Sequence, residues 1–256
     1  AEKAAGHDIR IVYSPLDALT LAQQNPDREI VFVGVGFETT TPLVAMAIKR
    51  AAAAGLENFT VFGAHKNMPG ALEAIINDPK LKLDALILPG HVSTIIGAEP
   101  YRFLAEKYGI PGVITGFEPV DVLQGIAMIM RQLHEGRAEI EIAYARGVMP
   151  QGNPVAMAVI NEVFETCTAL WRGLGEIPGS GYRIREEFAQ FDAVRRFQPN
   201  IEPTQDPKGC RCGDVLRGIM APNECPLFRK VCTPENPVGP CMVSSEGSCA
   251  AYHRYY

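Results

Sequence analysis

Glu29-Ile-Val-Phe-Val-Gly-Val-Gly-Phe-Glu-Thr-Thr-Thr-Pro42 decides the fold. Residues 29–35 form a near-continuous apolar run, as expected of a parallel strand buried on both faces. Thr41-Pro42 then opens an Ala-rich helix ending near Gly55. Proline suits that first turn because the N–H it lacks has no intrahelical acceptor there. Upstream, Ile9–Tyr13 reads as a short strand, and Ser14-Pro15 caps and starts a helix to Gln24. Downstream, strands at Phe59–Phe62, Leu83–Leu88, Gly112–Thr115 and Ile140–Tyr144 alternate with helices at Gly70–Asn77, Glu99–Tyr108 and Val120–His134. A further helix is expected from Pro154 to Cys167. The repetition predicts an α/β fold: a doubly wound, Rossmann-like body with a parallel sheet and helices on both faces.

After Trp171 the pattern weakens. Gly173–Gly181 reads as a loop and Arg185–Arg196 as a charged helix. From Pro199 onward Pro, Gly and Cys dominate, a shift that marks a small irregular domain. The 256 residues are 47% hydrophobic, enough for a real core, and the formal net charge is −5. Nucleic acid is an unsuitable partner for such a chain, because phosphate contacts need clustered Lys and Arg. No apolar run approaches the ~18 residues of a membrane span. The start, Ala1-Glu-Lys-Ala-Ala, has neither Met nor the layout of a signal peptide, so the chain is expected to be N-terminally truncated.

Six of the seven cysteines lie between Cys210 and Cys249; the body holds only Cys167. A large cysteine-poor body folds without staples, so the cluster reads as a metal or redox site in a reducing compartment. The tail contains Cys210-x-Cys212, then Cys225, Cys232, Cys241 and Cys249, with intervening gaps of 12, 6, 8 and 7 residues. Structural zinc usually presents paired Cys-x₂₋₄-Cys knuckles, which this tail lacks. Three disulfides fit poorly with a reducing compartment. An iron–sulfur centre needs four thiolates, leaving two cysteines for a thiol–disulfide pair. One of Cys210 and Cys212 is expected to be a ligand and the other a neighbour; spacing does not say which.

The body offers weaker signals, each with an ordinary structural alternative. Gly34-Val-Gly-Phe-Glu-Thr-Thr-Thr41 lies past a strand end, where open sheets bind ligands, and suits an anion at a helix N-terminus. Thr40 or Thr41 also serves as a plain helix cap. His91 follows a strand end and is placed to ligate iron or move a proton, although a lone loop histidine is often structural. His65 shares that rim. Glu118, in Gly-Phe-Glu-Pro, repeats the Gly-Phe-Glu of residues 36–38. Asp121 and Asn153 read as helix caps, and Cys167 as an inert buried thiol. Trp171 is expected to pack the body against the tail. Glu246 is placed to carry protons near the cysteines, and Tyr252, Tyr255 and Tyr256 to shield them or dock a partner.

The tail stretches Cys-Arg-Cys-Gly-Asp-Val-Leu-Arg-Gly (210–218), Cys-Pro-Leu-Phe (225–228), Cys-Thr-Pro-Glu-Asn-Pro-Val-Gly-Pro-Cys-Met-Val-Ser (232–244) and Glu-Gly-Ser-Cys-Ala-Ala-Tyr (246–252) resemble the C-terminal signature of the HypD family of hydrogenase maturation factors. Gly-Phe-Glu-Thr-Thr-Thr-Pro (36–42), Pro-Gly-His-Val-Ser (89–93), Gly-Phe-Glu-Pro-Val-Asp (116–121) and Gly-Asn-Pro-Val-Ala (152–156) are similar to motifs of the same family, in the same order. The resemblance implies a scaffold that works with HypC, and with HypE as the cyanide source, to assemble the Fe(CN)2CO unit of nickel–iron hydrogenases. It implies a 4Fe-4S cluster on Cys210, Cys225, Cys232 and Cys249, a redox-active pair of Cys212 and Cys241, and roles for His91 and Glu118. The arrangement is similar to the catalytic subunit of ferredoxin:thioredoxin reductase, with an electron-donor protein as a further partner and a cytoplasmic setting.

The implied division is an α/β domain over 1–118, the remainder of a second over 119–198, and a cysteine-rich domain over 199–256. The family's N-terminal Cys-Gly-Thr-His-Thr motif and nearby Cys-x-x-Cys are absent. This chain is therefore expected to lack the full reaction and to be partly exposed where missing strands belong. Two other functions fit the residues: a ferredoxin-linked thiol–disulfide oxidoreductase, and a zinc-tailed interaction module.

Overall fold

The computed structural model describes residues 2–81, 83–201 and 207–256. Residues 202–206, near the expected body–tail boundary, lie outside them. Ser14 starts helix α1 (Pro15–Gln24) with a full capping box: its hydroxyl accepts from Leu16 N–H, and Asp17 accepts from the Ser14 backbone. Strand β1 (Ile30–Gly36) runs into α2 (Thr41–Ala53) and then β2 (Phe59–His65), which pairs parallel with β1 in register from Ile30↔Phe59 to Gly36↔His65. Buried Ala45, Ala47, Ile48 and Ala51 let α2 lie close over the sheet.

Helix α3 (Met68–Ile76) leads to a second sheet. Strand β3 (Leu86–Pro89), helices α4 (Gly90–Ile96) and α5 (Arg102–Tyr108), strand β4 (Gly112–Thr115), helix α6 (Pro119–Glu135) and strand β5 (Ile140–Ile142) follow in order. The strands pair parallel as β3–β4–β5. This sheet runs across residue 118, where the sequence division was placed. Leu88, Ile114, Tyr101 and Leu104 form its core, separate from the Ile48, Phe59, Val61 and Phe164 core of the first sheet.

Helix α7 (Pro154–Val163) returns to the first core, capped by the Asn153 side chain on Ala156 N–H at 3.0 Å. Strands β6 (Phe164–Trp171) and β7 (Gly175–Ile184) form an antiparallel hairpin. A 3-10 turn (Glu186–Phe191) and short helix α8 (Ala193–Phe197) close the body. The tail carries α9 (Cys212–Leu216), α10 (Pro240–Val243) and α11 (Ser248–Tyr255). No helix among the described residues is long and apolar enough to cross a membrane.

Several expectations change. Residues 9–12 form no strand, and Ile11 and Tyr13 stand exposed. The expected helix to Cys167 stops at Val163, because Phe164–Trp171 alternates and finds β7 as its partner. That partner is the glycine-rich segment read as a loop. The charged helix at 185–196 breaks at Asp192, whose carboxylate caps α8 through Val194 N–H. Nor is β1 buried on both faces: Val31, Val33 and Val35 share one face and are exposed, while Ile30 and Phe32 on the other face pack against the core under α2.

Candidate functional site

Short helices and turns fold the tail around its own sulfur atoms. Cys212 starts α9 and Cys241 lies on α10; the two form a disulfide spanning 29 residues. The other four tail cysteines stand as thiols: Cys232 and Cys249 buried, Cys210 and Cys225 half-buried. All six line one cavity with Leu227, Phe228, Gly239 and Met242. Gly239 is required by close approach, since a Cβ there would lie 2.5 Å from Cys210 Sγ. Two sulfurs receive backbone N–H groups: Val238 N–H points to Cys232 Sγ and Cys241 N–H to Cys212 Sγ, each at 3.4 Å. Tyr252 of α11 covers the outside, with its ring 5.9 Å from Phe228.

Electrostatics ties the four thiols together. Cys249 is pushed up to about 11, first by burial and then by Cys225, Cys232 and Cys210. Four thiolates in one apolar cavity repel each other and lack solvation, so a bound cationic core reverses the local logic. Among the described residues, no group of three or more His, Cys, Asp or Glu converges as the ligands of a single metal ion. A lone zinc needs four donors about 2.3 Å from one point. A four-iron cluster takes each thiolate on a different iron, so its sulfurs stand further apart. Four cysteine thiols lining one apolar cavity are a donor set whose chemistry suits a thiolate-held metal centre.

The tail meets the body along α9. Gly213 packs on the β6–β7 turn, where its Cβ would lie 2.1 Å from Gly173 O. Arg217 pairs with Asp78, past the end of α3, at 2.6 Å. Arg172 Nη2 lies 3.5 Å from Val238 O. Trp171 itself points the other way, donating to Ser180 Oγ at 2.7 Å and packing 6.0 Å from Phe37.

The body residues form a separate group. His91 sits in the first turn of α4 rather than in a loop, exposed, with its ring 4.5 Å from Phe117. Glu118 occupies the N-cap position of α6 without capping it and lies 3.7 Å from Arg146. Asp121, expected as a cap, is buried and held in two 2.6 Å bonds by Arg146, which keeps its carboxyl below the usual range. Arg146 also lies over the Tyr144 ring at 4.6 Å. Sequence reading missed Arg146; its signal was a cation just past the last strand of the second sheet. No hydrogen bond or ion pair among the described residues joins His91 or Glu118 to the tail cysteines.

His65 does not reach the rim. It is 2% exposed, has no hydrogen-bond partner on either nitrogen, and burial pulls it down to about 4. Glu38 is 1% exposed; one oxygen accepts Met68 N–H at 2.9 Å, and burial raises its carboxyl. Thr40 and Thr41 do not cap α2, because their hydroxyls turn back to Phe37 O. Cys167 is half-buried, and burial raises its thiol.

The fold and site define an α/β protein with parallel sheets and a separate, cysteine-lined pocket in its C-terminal region. Residues 1–256 match the family described as HypD, hydrogenase formation hypA family. A hydrogenase maturation factor HypD of Rhodobacter capsulatus is 52% identical over 258 residues, covering 99% of this chain and 68% of that protein. One from Cupriavidus necator is 49% identical, covering 99% and 69%. A putative hydrogenase expression/formation protein of Methanocaldococcus jannaschii is 44% identical, covering 99% and 71%. The chain belongs to the HypD family of hydrogenase maturation factors.

Proposed function

We propose that this chain is a scaffold for assembly of the Fe(CN)2CO unit of nickel–iron hydrogenases, acting in the cytoplasm with HypC and with HypE as the source of cyanide. The iron complex is cargo, handed on when finished. Family membership supports the setting. The body is read as doubly wound and Rossmann-like, with residues 199–256 as an iron–sulfur domain. Cys210, Cys225, Cys232 and Cys249 would hold a 4Fe-4S cluster, which supplies one-electron transfer when bound. The observation that carries this reading is the convergence of all six tail cysteines, four thiols and one disulfide, on a single cavity.

Cys212 and Cys241 act as the two-electron store. Two electrons and two protons, drawn from an external donor protein, convert their disulfide into two thiols. His91 and Glu118, exposed on one rim, hold and move protons for the cargo. The Arg146–Asp121 pair fixes the start of α6, and with it the position of Glu118.

Anaerobic purification of three forms tests the assignment. The unaltered chain is expected to absorb broadly near ~400 nm and to bleach on reduction. Cys225→Ala is expected to lose the colour and the iron. Cys212→Ala is expected to keep the iron and lose thiol exchange. Loss of iron in Cys212→Ala contradicts the ligand set. The disulfide beside four thiols also favours a second reading, a ferredoxin-linked thiol–disulfide oxidoreductase. Thiol exchange without retention of HypC on a pull-down selects that reading.

A further inference from the structure

Helix α6 is amphipathic the wrong way round. Asp121, Gly125, Ile129 and Gln132 face inward and are buried. Gly125 lets the helix settle onto β4, since a Cβ there would lie 2.2 Å from Thr115 Cγ2. Gln132 bonds to Glu139 N–H and to Glu141, closing that face with polar groups. Val120, Leu123, Ile126, Met130 and Leu133, spaced three and four apart, lie on the opposite face. They are between 40% and 72% exposed, and Phe117 extends the stripe to His91 at 68%. Ordinary surface helices turn such a stripe toward the core. A contiguous exposed one marks an interaction site.

The charges around the stripe select its occupant. At the amino end Glu118 and Asp121 share one cation, Arg146. At the carboxyl end Glu135, Glu139 and Glu141 share Arg137. Both ends are therefore net acidic, with exposed Arg131 and His134 on the last turns. An anionic membrane suits a helix rich in Lys and Arg, not acidic ends. A second copy is also disfavoured. Antiparallel pairing that sets Val120 against Leu133 and Leu123 against Met130 also sets Glu118 against Glu135, and parallel pairing sets each carboxylate against itself.

We infer that the outer face of α6 docks an amphipathic helix of a partner protein, with an apolar i, i+3, i+4, i+7 frame and Lys or Arg at both ends. The stripe from Val120 to Leu133 is about 20 Å long, so the docked helix runs three to four turns. The inference is independent of the iron–sulfur reading; a colourless protein leaves it standing.

The probe is a fluorescent peptide of about eighteen residues, with Leu at that spacing and Lys at both ends. A second peptide carries Glu at the ends instead. Binding to the full chain is read by anisotropy. The Lys peptide is expected to bind saturably, and the Glu peptide at least about tenfold more weakly. The double variant Leu123→Glu, Met130→Glu is expected to lose at least about tenfold for the Lys peptide with its far-ultraviolet circular dichroism unchanged. Should that variant misfold, the comparison of the two peptides on the unaltered chain decides alone. Equal binding of both peptides, or of chain and folded variant, overturns the inference. So does self-association, or binding to phosphatidylserine-containing vesicles, that Leu123→Glu abolishes, or loss of Lys-peptide binding by a chain extended to the full length of the relatives it matches.

Discussion

The body and the tail are held together by opposite arrangements of structure and chemistry. In the body, apolar cores built from Ile48, Phe59, Leu88, Tyr101 and Phe164 lie away from exposed His91 and Glu118. In the tail, four of the eight buried residues of the cluster are cysteines: Cys212, Cys232, Cys241 and Cys249. The tail core is thus its candidate site, and a change to one changes the other. Small domains commonly use such staples because they bury too little apolar surface to fold alone.

The strongest way to break the comparison is to remove a buried tail cysteine. Cys249→Ser is expected to abolish iron binding and protection of tail amides from hydrogen exchange, while amides of β1 and β4 keep theirs. Loss of protection in both regions makes the tail part of the body's cooperative unit. Next comes the disulfide. Closing a loop across 29 residues contributes about 3.5 kcal/mol in the chain-entropy account, so Cys241→Ala is expected to loosen the tail by an effect of that order in local opening. In the body, Gly90→Ala places a Cβ 2.2 Å from Thr115 O. Denaturant unfolding is expected to show the body losing about 2 kcal/mol, with iron content unchanged.

pH separates the regions further. His65 falls from 6.5 when unfolded to about 4 when folded. Above the unfolded value both states are neutral and the residue contributes nothing. As pH falls below it, the unfolded chain takes up the proton first, and body stability falls by about 1.4 kcal/mol per unit until His65 itself protonates. Between pH 7 and pH 5 the loss is about 2 kcal/mol, and His65→Leu is expected to remove most of it. The smallest effect on stability belongs to the exposed rim. His91→Ala is expected to change body stability, read by denaturant unfolding, by less than about 0.5 kcal/mol. A large stability loss there makes His91 structural.

The sequence made the βα alternation legible because Gly, Pro and apolar runs punctuate it at short range. The tail was legible because cysteine has few uses at such density. Features set by distant partners were not. Nothing between Val163 and Phe164 announces that a helix ends and a hairpin starts; β6 is a strand because glycine-rich β7 pairs with it. Helix α4, at seven residues, is too short to show a period, so His91 read as a loop residue. Asp121 looked like a cap until Arg146, 25 residues away, took both its oxygens. His65 ends a strand but turns to the Phe164 side of the sheet.

Counting iron and acid-labile sulfide per chain, in protein prepared without oxygen, tests the central claim most directly. About four of each per chain, lost together in Cys249→Ser, is the predicted result. A colourless protein holding one zinc, or no metal, contradicts it.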